Sequence, residues 1–153
     1  MPKAITPFLW FDTQAEEAAE YYCSIFPDSR IVDVLRTPGT ETLLTVDFEL
    51  QGQRFTGING GPEFSFTEAV SFMIECADQA EVDHYWERLT DGGEEVQCGW
   101  LKDRYGLSWQ VVPEGMAELF DDPDPDRAAR AMRAMLGMKK INIAAMRAAA
   151  DAA

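Results

Sequence analysis

Asp12-Thr13-Gln14-Ala15-Glu16, followed by Tyr21-Tyr22, returns further along the chain as Ala77-Asp78-Gln79-Ala80-Glu81, followed by Tyr85-Trp86. Each copy comes after an apolar run, residues 5–11 in the first and 70–76 in the second. Self-similarity of this kind marks a duplicated structural unit. Thr13 with Glu16, and Asp78 with Glu81, have the spacing of a helix N-cap and its reciprocal acid. The unit reads as a strand, a capped helix and then further strands, present twice. Two such halves enclose something between them, so function is sought in a cleft.

Outward from the two helices, the rest of each unit follows. In the first, an apolar strand at 5–11 precedes a helix over 13–26, which Pro27-Asp28-Ser29 ends. A strand over 31–36 and a turn at 37–40 lead to 42–50, where Leu44, Val46, Phe48 and Leu50 share one face. Gln51-Gly52 turns the chain into a strand over 53–59, a hairpin signal. Gly60-Gly61-Pro62 breaks it. In the second, the helix over 79–91 stops at Gly92-Gly93. A strand over 94–102, split near Gly99, and another over 107–112 flank a turn at Arg104-Tyr105-Gly106. The organisation is one domain with module one at 1–62, module two at 63–115 and a C-terminal helical tail at 116–153. Pro125 suits the first turn of a tail helix. Met132, Leu136, Ile143 and Met146 recur there at helical spacing, either as packing within the chain or as packing between subunits.

Charge is unevenly placed. Residues 1–125 hold 25 acids against 7 Lys and Arg, whereas residues 126–153 hold 2 against 6. So acidic a body argues against a nucleic-acid partner, because phosphate contacts need a basic surface. The basic tail either docks on an acidic body, its own or a partner subunit's, or is a solvated helix. No apolar stretch reaches membrane-spanning length, and Met1-Pro2-Lys3-Ala4 lacks the apolar region of a secretory signal. Three scattered cysteines, Cys23, Cys76 and Cys98, without a CxxC pair, point to reduced thiols and a cytoplasmic location.

Phe8-Leu9-Trp10-Phe11-Asp12, Asn59-Gly60-Gly61-Pro62, Glu68-Ala69-Val70-Ser71-Phe72 and the run from Cys98-Gly99-Trp100 through Trp109-Gln110-Val111-Val112-Pro113 closely resemble the PhnB-like family. So does the late Ala134-Met135-Leu136. That family belongs to the vicinal oxygen chelate superfamily, with glyoxalase I, extradiol dioxygenases and bleomycin- and fosfomycin-resistance proteins. The resemblance implies an α+β fold in which two βαβββ modules form a cupped mixed sheet around one cavity, and a homodimer. It also implies where the metalloenzymes of the superfamily would hold their metal: near Thr6, Asn59, Ser71 and Gln110. None of the four is a strong ligand, since divalent catalytic metals take imidazole or carboxylate. The single histidine, His84, lies on the second helix. The expectation is no catalytic metal and no cofactor.

With Gln110 taken as facing the cavity, strand parity assigns the lining. Ser108 and Gln110 face in, as do Ser71, Met73 and Glu75, Thr6, Phe8 and Trp10, and Phe55 with Asn59. Trp100 adds an indole that, with Trp10, either stacks on a ligand or fills the cup. Glu75 is the one candidate general base, at the strand's end where solvent reaches it. Asp103 and Arg104 are expected to hold the Tyr105-Gly106 turn. No GxGxxG spacing occurs. The function expected is metal-independent binding of a small organic molecule, with no nucleic acid and no membrane as partner. The alternative is an enzyme, including the label demethylubiquinone methyltransferase that relatives carry.

Overall fold

The computed structural model describes residues 4–152. Two compact units divide between Ser65 and Phe66. The first contains β1 (Phe8–Phe11), α1 (Ala15–Ile25), β2 (Ser29–Arg36), β3 (Leu43–Leu50) and β4 (Gln53–Asn59). Its sheet has the order β1-β4-β3-β2, with β1 parallel to β4 and the other pairs antiparallel. The hairpin between β3 and β4 is the two-residue turn expected at Gln51-Gly52. Both residues have positive φ, 50° and 84°, and Leu50 pairs with Gln53 across it.

The first core lies between this sheet and α1. Leu9, Phe11, Val46, Phe48 and Phe55 are buried, and so are Ala15, Ala18, Ala19 and Tyr22 of the helix. The three alanines let the helix lie close to the sheet. Tyr22 stacks on Phe48 with ring centroids 6.2 Å apart, and Phe48 on Phe55 at 5.4 Å. Gly57 completes the fit, because a Cβ there would come 3.3 Å from Val46 and 3.4 Å from Ala15.

The second unit repeats the plan. It contains β5 (Ser71–Cys76), α2 (Gln79–Thr90), β6 (Glu94–Glu95), β7 (Trp100–Lys102) and β8 (Ser108–Pro113), in sheet order β5-β8-β7-β6. The expected split of the 94–102 strand is real. Cys98 and Gly99, both with positive φ, break the chain between β6 and β7. Ile74, Cys76, Leu101, Trp109 and Val111 form the sheet's side of a core with Val82, Tyr85, Trp86 and Leu89 of α2. The two βαβββ modules thus form two four-stranded mixed sheets, each with its own helix.

The helix starts differ from one another. Asp78 caps α2 as expected: its carboxylate accepts from Glu81 N at 2.9 Å, and the Glu81 carboxylate accepts from Ala77 N at 2.9 Å. The Thr13–Glu16 box does not form. Gln14 is the N-cap and makes no side-chain cap bond, and the Asn59 carboxamide from the end of β4 accepts from Ala15 N at 2.9 Å instead.

The tail folds as α3 (Gly115–Phe120), α4 (Pro125–Leu136) and α5 (Ile143–Asp151). Ala131, Ile141, Ile143, Met146 and Ala150 form its own buried core, with Met116, Leu119, Phe120, Met135 and Met138 packed against it. Ile143 and Met146 of the expected stripe therefore pack within the chain, while Met132 and Leu136 are exposed. The tail is fastened to module two by polar contacts. Cys98 N and Gly99 N donate to Met138 O and Lys139 O at 2.7 and 2.8 Å. Gln79 donates to Ile141 O at 2.9 Å and accepts from Ile143 N at 3.0 Å. Of the tail's cations, Lys140 pairs with Asp83 on α2 at 2.9 Å. First the Gln79 amide and then Lys140 hold the Asp83 carboxyl below its ordinary pKa. Arg130 donates to Ala150 O at 2.7 Å, placing positive charge on the carbonyl end of α5. One tail cation thus pairs with module two, while Arg127 pairs with Asp122 and Asp151 inside the tail. No described helix is long and apolar enough to cross a membrane.

Candidate functional site

Each sheet has one face against its helix and one helix-free face, and register decides which side chains stand on the latter. In module two, Ser71 pairs with Ser108, Met73 with Gln110 and Glu75 with Val112, while Trp100 pairs with Gln110 and Lys102 with Ser108. The intervening residues Ile74, Leu101, Trp109 and Val111 are buried against the helix. Parity therefore puts Ser71, Met73, Glu75, Trp100, Lys102, Ser108 and Gln110 on the helix-free face. Gln110 Nε2 donates to Ser71 Oγ at 2.9 Å. Met73 and Glu75 are exposed, Trp100 is half-buried, and Ser108 is only 1% exposed.

In module one the same reasoning places Phe8 and Trp10 on the helix-free face, since Leu9 and Phe11 between them are buried. Half-buried Thr6 lies just before β1. Trp10 is held firmly: its indole nitrogen donates to Gly61 O at 2.9 Å, and Phe64 meets its ring edge-on at 4.9 Å. A Cβ on Gly60 would clash with the Trp10 indole, so only glycine lets the loop wrap the tryptophan. This is the physical content of the Asn59-Gly60-Gly61-Pro62 motif.

Phe55 and Asn59 require correction. Phe55 pairs with Phe48 and Asn59 with Phe11, whose side chains face α1. Both residues therefore stand on the helix side, and Thr56 and Ile58 occupy the helix-free face of β4. The Asn59 carboxamide is engaged by Ala15 N and donates to Leu43 O at 3.4 Å. Its role is to cap α1. Asn59→Ala is expected to cost about 1 kcal/mol of stability, read as a lower urea midpoint at unchanged slope. An unchanged midpoint would remove the capping role.

The residues present do not fit a catalytic metal. Thr6, Ser71 and Gln110 are neutral, and Asn59 faces the wrong side. Among the described residues no group of three or more His, Cys, Asp or Glu side chains could hold an ion. His84 is exposed on α2 and meets Tyr85 edge-on at 5.0 Å. The three cysteines are free thiols. Burial pushes the Cys76 thiol up to about 12, first by desolvation and then by the Glu81 and Asp78 charges. Burial also raises Cys23. Neither is an activated nucleophile.

The turn before β8 positions the site, as expected for Asp103. Its carboxylate, 3% exposed, accepts from Tyr105 N at 2.8 Å, Leu107 N at 3.1 Å and Trp109 Nε1 at 2.9 Å. Arg104 donates to Asp91 O at 3.1 Å and bridges to its carboxylate. Residues that sequence reasoning did not include are Thr56, Ile58 and Phe64 in module one and Glu68 and Lys102 in module two. The partner strand's parity, carried by Phe8 and Trp10, was the signal for Thr56 and Ile58. Nothing local marks the Lys102–Glu68 pair.

Two βαβββ modules, each presenting a helix-free sheet face, define a protein of the vicinal oxygen chelate type. The sequence model of the 3-demethylubiquinone-9 3-methyltransferase family matches residues 3–112. The chain belongs to this family, the PhnB-like branch of that superfamily. It is similar to the solved structure of a PhnB protein from Bacillus cereus, with 33% identity and a TM-score of 0.67, over 72% of this chain and 99% of that one. Protein PA1353 from Pseudomonas aeruginosa shares the fold at 17% identity and a TM-score of 0.63, over 74% and 98% of the two chains. The fosfomycin resistance protein FosX from Listeria monocytogenes shares it at 16% and 0.54, over 77% and 98%. No functionally curated protein matches the chain. Helices α3 to α5 lie beyond the family match.

Proposed function

We propose that the protein binds a small organic molecule on the helix-free faces of its sheets, without a catalytic metal. The observation that carries this reading is the chemistry of those faces. Phe8, Trp10 and Phe64 present aromatic surface, with Phe8 and Phe64 each 62% exposed. Ser71, Met73, Trp100 and Gln110 set a few polar groups among apolar ones, as small-molecule sites do. The buttressing of Trp10 by Gly60, Gly61 and Phe64 supports a pre-organised stacking surface rather than loose filling. We read the working form as a cytoplasmic homodimer. Three free cysteines and the exposed Met132 and Leu136 on α4 support that reading.

The description of the family favours a second reading, methyl transfer to a demethylubiquinone. It requires a seat for a methyl donor, and calorimetric binding of S-adenosylmethionine would establish it.

The first test is intact mass under non-denaturing conditions, on protein purified without added metal or chelator. The expected result is a dimer without a stoichiometric metal increment. Saturable small aromatics at 100 times Kd should raise stability by about 2.7 kcal/mol, and Trp10→Ala should remove that gain. Stoichiometric zinc, nickel or iron would overturn the metal-free reading. A panel in which no compound raises the melting temperature would overturn the binding reading.

A further inference from the structure

We propose that the helix-free face of β5, β8 and β7 carries an oxyanion subsite for an organic carboxylate, held shut by the protein's own Glu68. This rests on the binding reading above and adds the charge type of the ligand.

The subsite begins with one row of the sheet. Ser71 on β5, Ser108 on β8 and Lys102 on β7 are aligned by register. Ser108 Oγ is the one buried side-chain polar atom without a hydrogen-bond partner among the described residues. Buried hydroxyls are normally paired, so an unpaired one on this face marks a place where a ligand atom belongs. Its neighbours are also donors. The Ser71 oxygen already accepts from Gln110, which leaves its own proton to donate. The second N–H of the Gln110 amide is likewise not given to any described partner.

Lys102 closes the row. Its ammonium pairs with Glu68, in the segment leading into β5. Because β8 lies between β7 and β5, the Lys102–Glu68 pair links the two strands that flank Ser108. The hydrogen bond between the pair holds the Glu68 carboxyl below, and the Lys102 ammonium above, their ordinary values. Both side chains are partly exposed, at 32% and 59%, so the strap opens at little cost. Glu94 pairs with Lys102 in register from β6, and its charge adds a smaller upward push to the one from Glu68.

The Glu68 carboxylate thus holds the Lys102 ammonium that a ligand carboxylate would take. On exchange, Lys102 swaps one carboxylate for another, Glu68 moves into solvent, and Ser108, Ser71 and Gln110 donate to the incoming oxygens. With the Lys102 ammonium as its one charged group, and hydroxyl and amide protons beside it, the row suits an oxyanion better than a cation. Met73 and Trp100, flanking Gln110 in the next row, seat the ligand's apolar body.

The test uses the full-length protein labelled with nitrogen-15 and titrated with benzoate, and with benzamide as its neutral isostere. The signals followed are the Gln110 side-chain amide and the Trp100 indole N–H. Benzoate is expected to move both saturably, and benzamide at least about tenfold more weakly. Glu68→Gln, at an exposed position, should tighten benzoate about two- to fivefold. Ser108→Ala should weaken it about fivefold, and Lys102→Met should abolish it. Benzamide binding as well as benzoate, or benzoate indifferent to Glu68→Gln, overturns the oxyanion subsite while the binding reading survives. If neither probe moves these signals at millimolar concentration, the binding reading for this face falls with it.

Discussion

Asp103→Ala is expected to lower the stability of the fold by about 3–5 kcal/mol. In a chain of this size that is a fall of roughly 10 °C in melting temperature. Asp103 is a buried carboxylate that accepts from three N–H groups. Two come from the backbone of Tyr105 and Leu107 and one from the Trp109 indole, all within 3.1 Å. Alanine leaves these buried donors without an acceptor, which costs more than the bonds themselves contribute. Asparagine should be nearly as damaging. Its carboxamide keeps one accepting oxygen and turns an NH2 toward a donor. The damage should reach the site as well. The turn is closed by Asp103 N to Leu107 O and Gly106 N to Asp103 O, both 2.9 Å. These bonds set the register that places Lys102 opposite Ser108 and Trp100 opposite Gln110. Urea unfolding of the two variants, with ligand binding measured in parallel, checks this. A loss below about 1 kcal/mol would mean that the carboxylate does not organise the turn.

The features that could be read in the sequence are those written within a few residues of one another. The Asp78–Glu81 box, the Gln51-Gly52 hairpin and the Asp103 turn are local arrangements, and each forms as expected. The duplicated modules were legible because the repeat itself is local pattern, copied. Parity along β1, β5 and β8 was also legible, so Phe8, Trp10, Ser71, Met73, Ser108 and Gln110 stand on the helix-free faces. The failures have a common origin in contacts between distant residues. Thr13 and Glu16 have the spacing of a cap, but Asn59, 44 positions from Ala15, reaches the helix first. That one hydrogen bond also removes Asn59 from the helix-free face and takes Phe55 with it, four residues back on the same strand. The Lys102–Glu68 strap spans two strands. It is invisible until β8 is known to lie between them. The tail shows the same division. Its helical periodicity was plain, while the surface that receives it, made by Gln79, Cys98 and Gly99, is scattered through module two.

Ending the chain at Glu114 should leave module two unable to hold its fold, although the family match ends at residue 112. Family membership alone would make residues 1–114 self-sufficient, so the truncation separates the two views. The tail supplies partners that module two does not contain. Met138 O and Lys139 O receive the N–H groups of Cys98 and Gly99, and Ile141 O and Ile143 N complete Gln79. Cys98 and Gly99 hold positive φ values of 59° and 85°. For Cys98 that conformation is unfavourable and persists only where the surroundings impose it. Ile141, fully buried, packs onto Gly99, where a Cβ would come 2.9 Å from Val111 O and 3.1 Å from Ile141 itself. The same segment sets the start of β7, and with it Trp100. Truncation is therefore expected to give aggregated protein, or protein melting at least about 10 °C lower with poorly dispersed amide signals from β6 to β8. A graded version avoids the ambiguity of a failed fold. Ile141→Ala keeps every tail hydrogen bond and removes only packing, and should cost about 2–4 kcal/mol. Gln79→Ala keeps the packing and removes the polar fastening, and should cost about 2 kcal/mol. The two share one contact surface, so their combined effect should depart from additivity. If residues 1–114 melt within a few degrees of the full chain, the tail is an appendage. If they do not, the second module of this protein is complete only with the three helices that follow it.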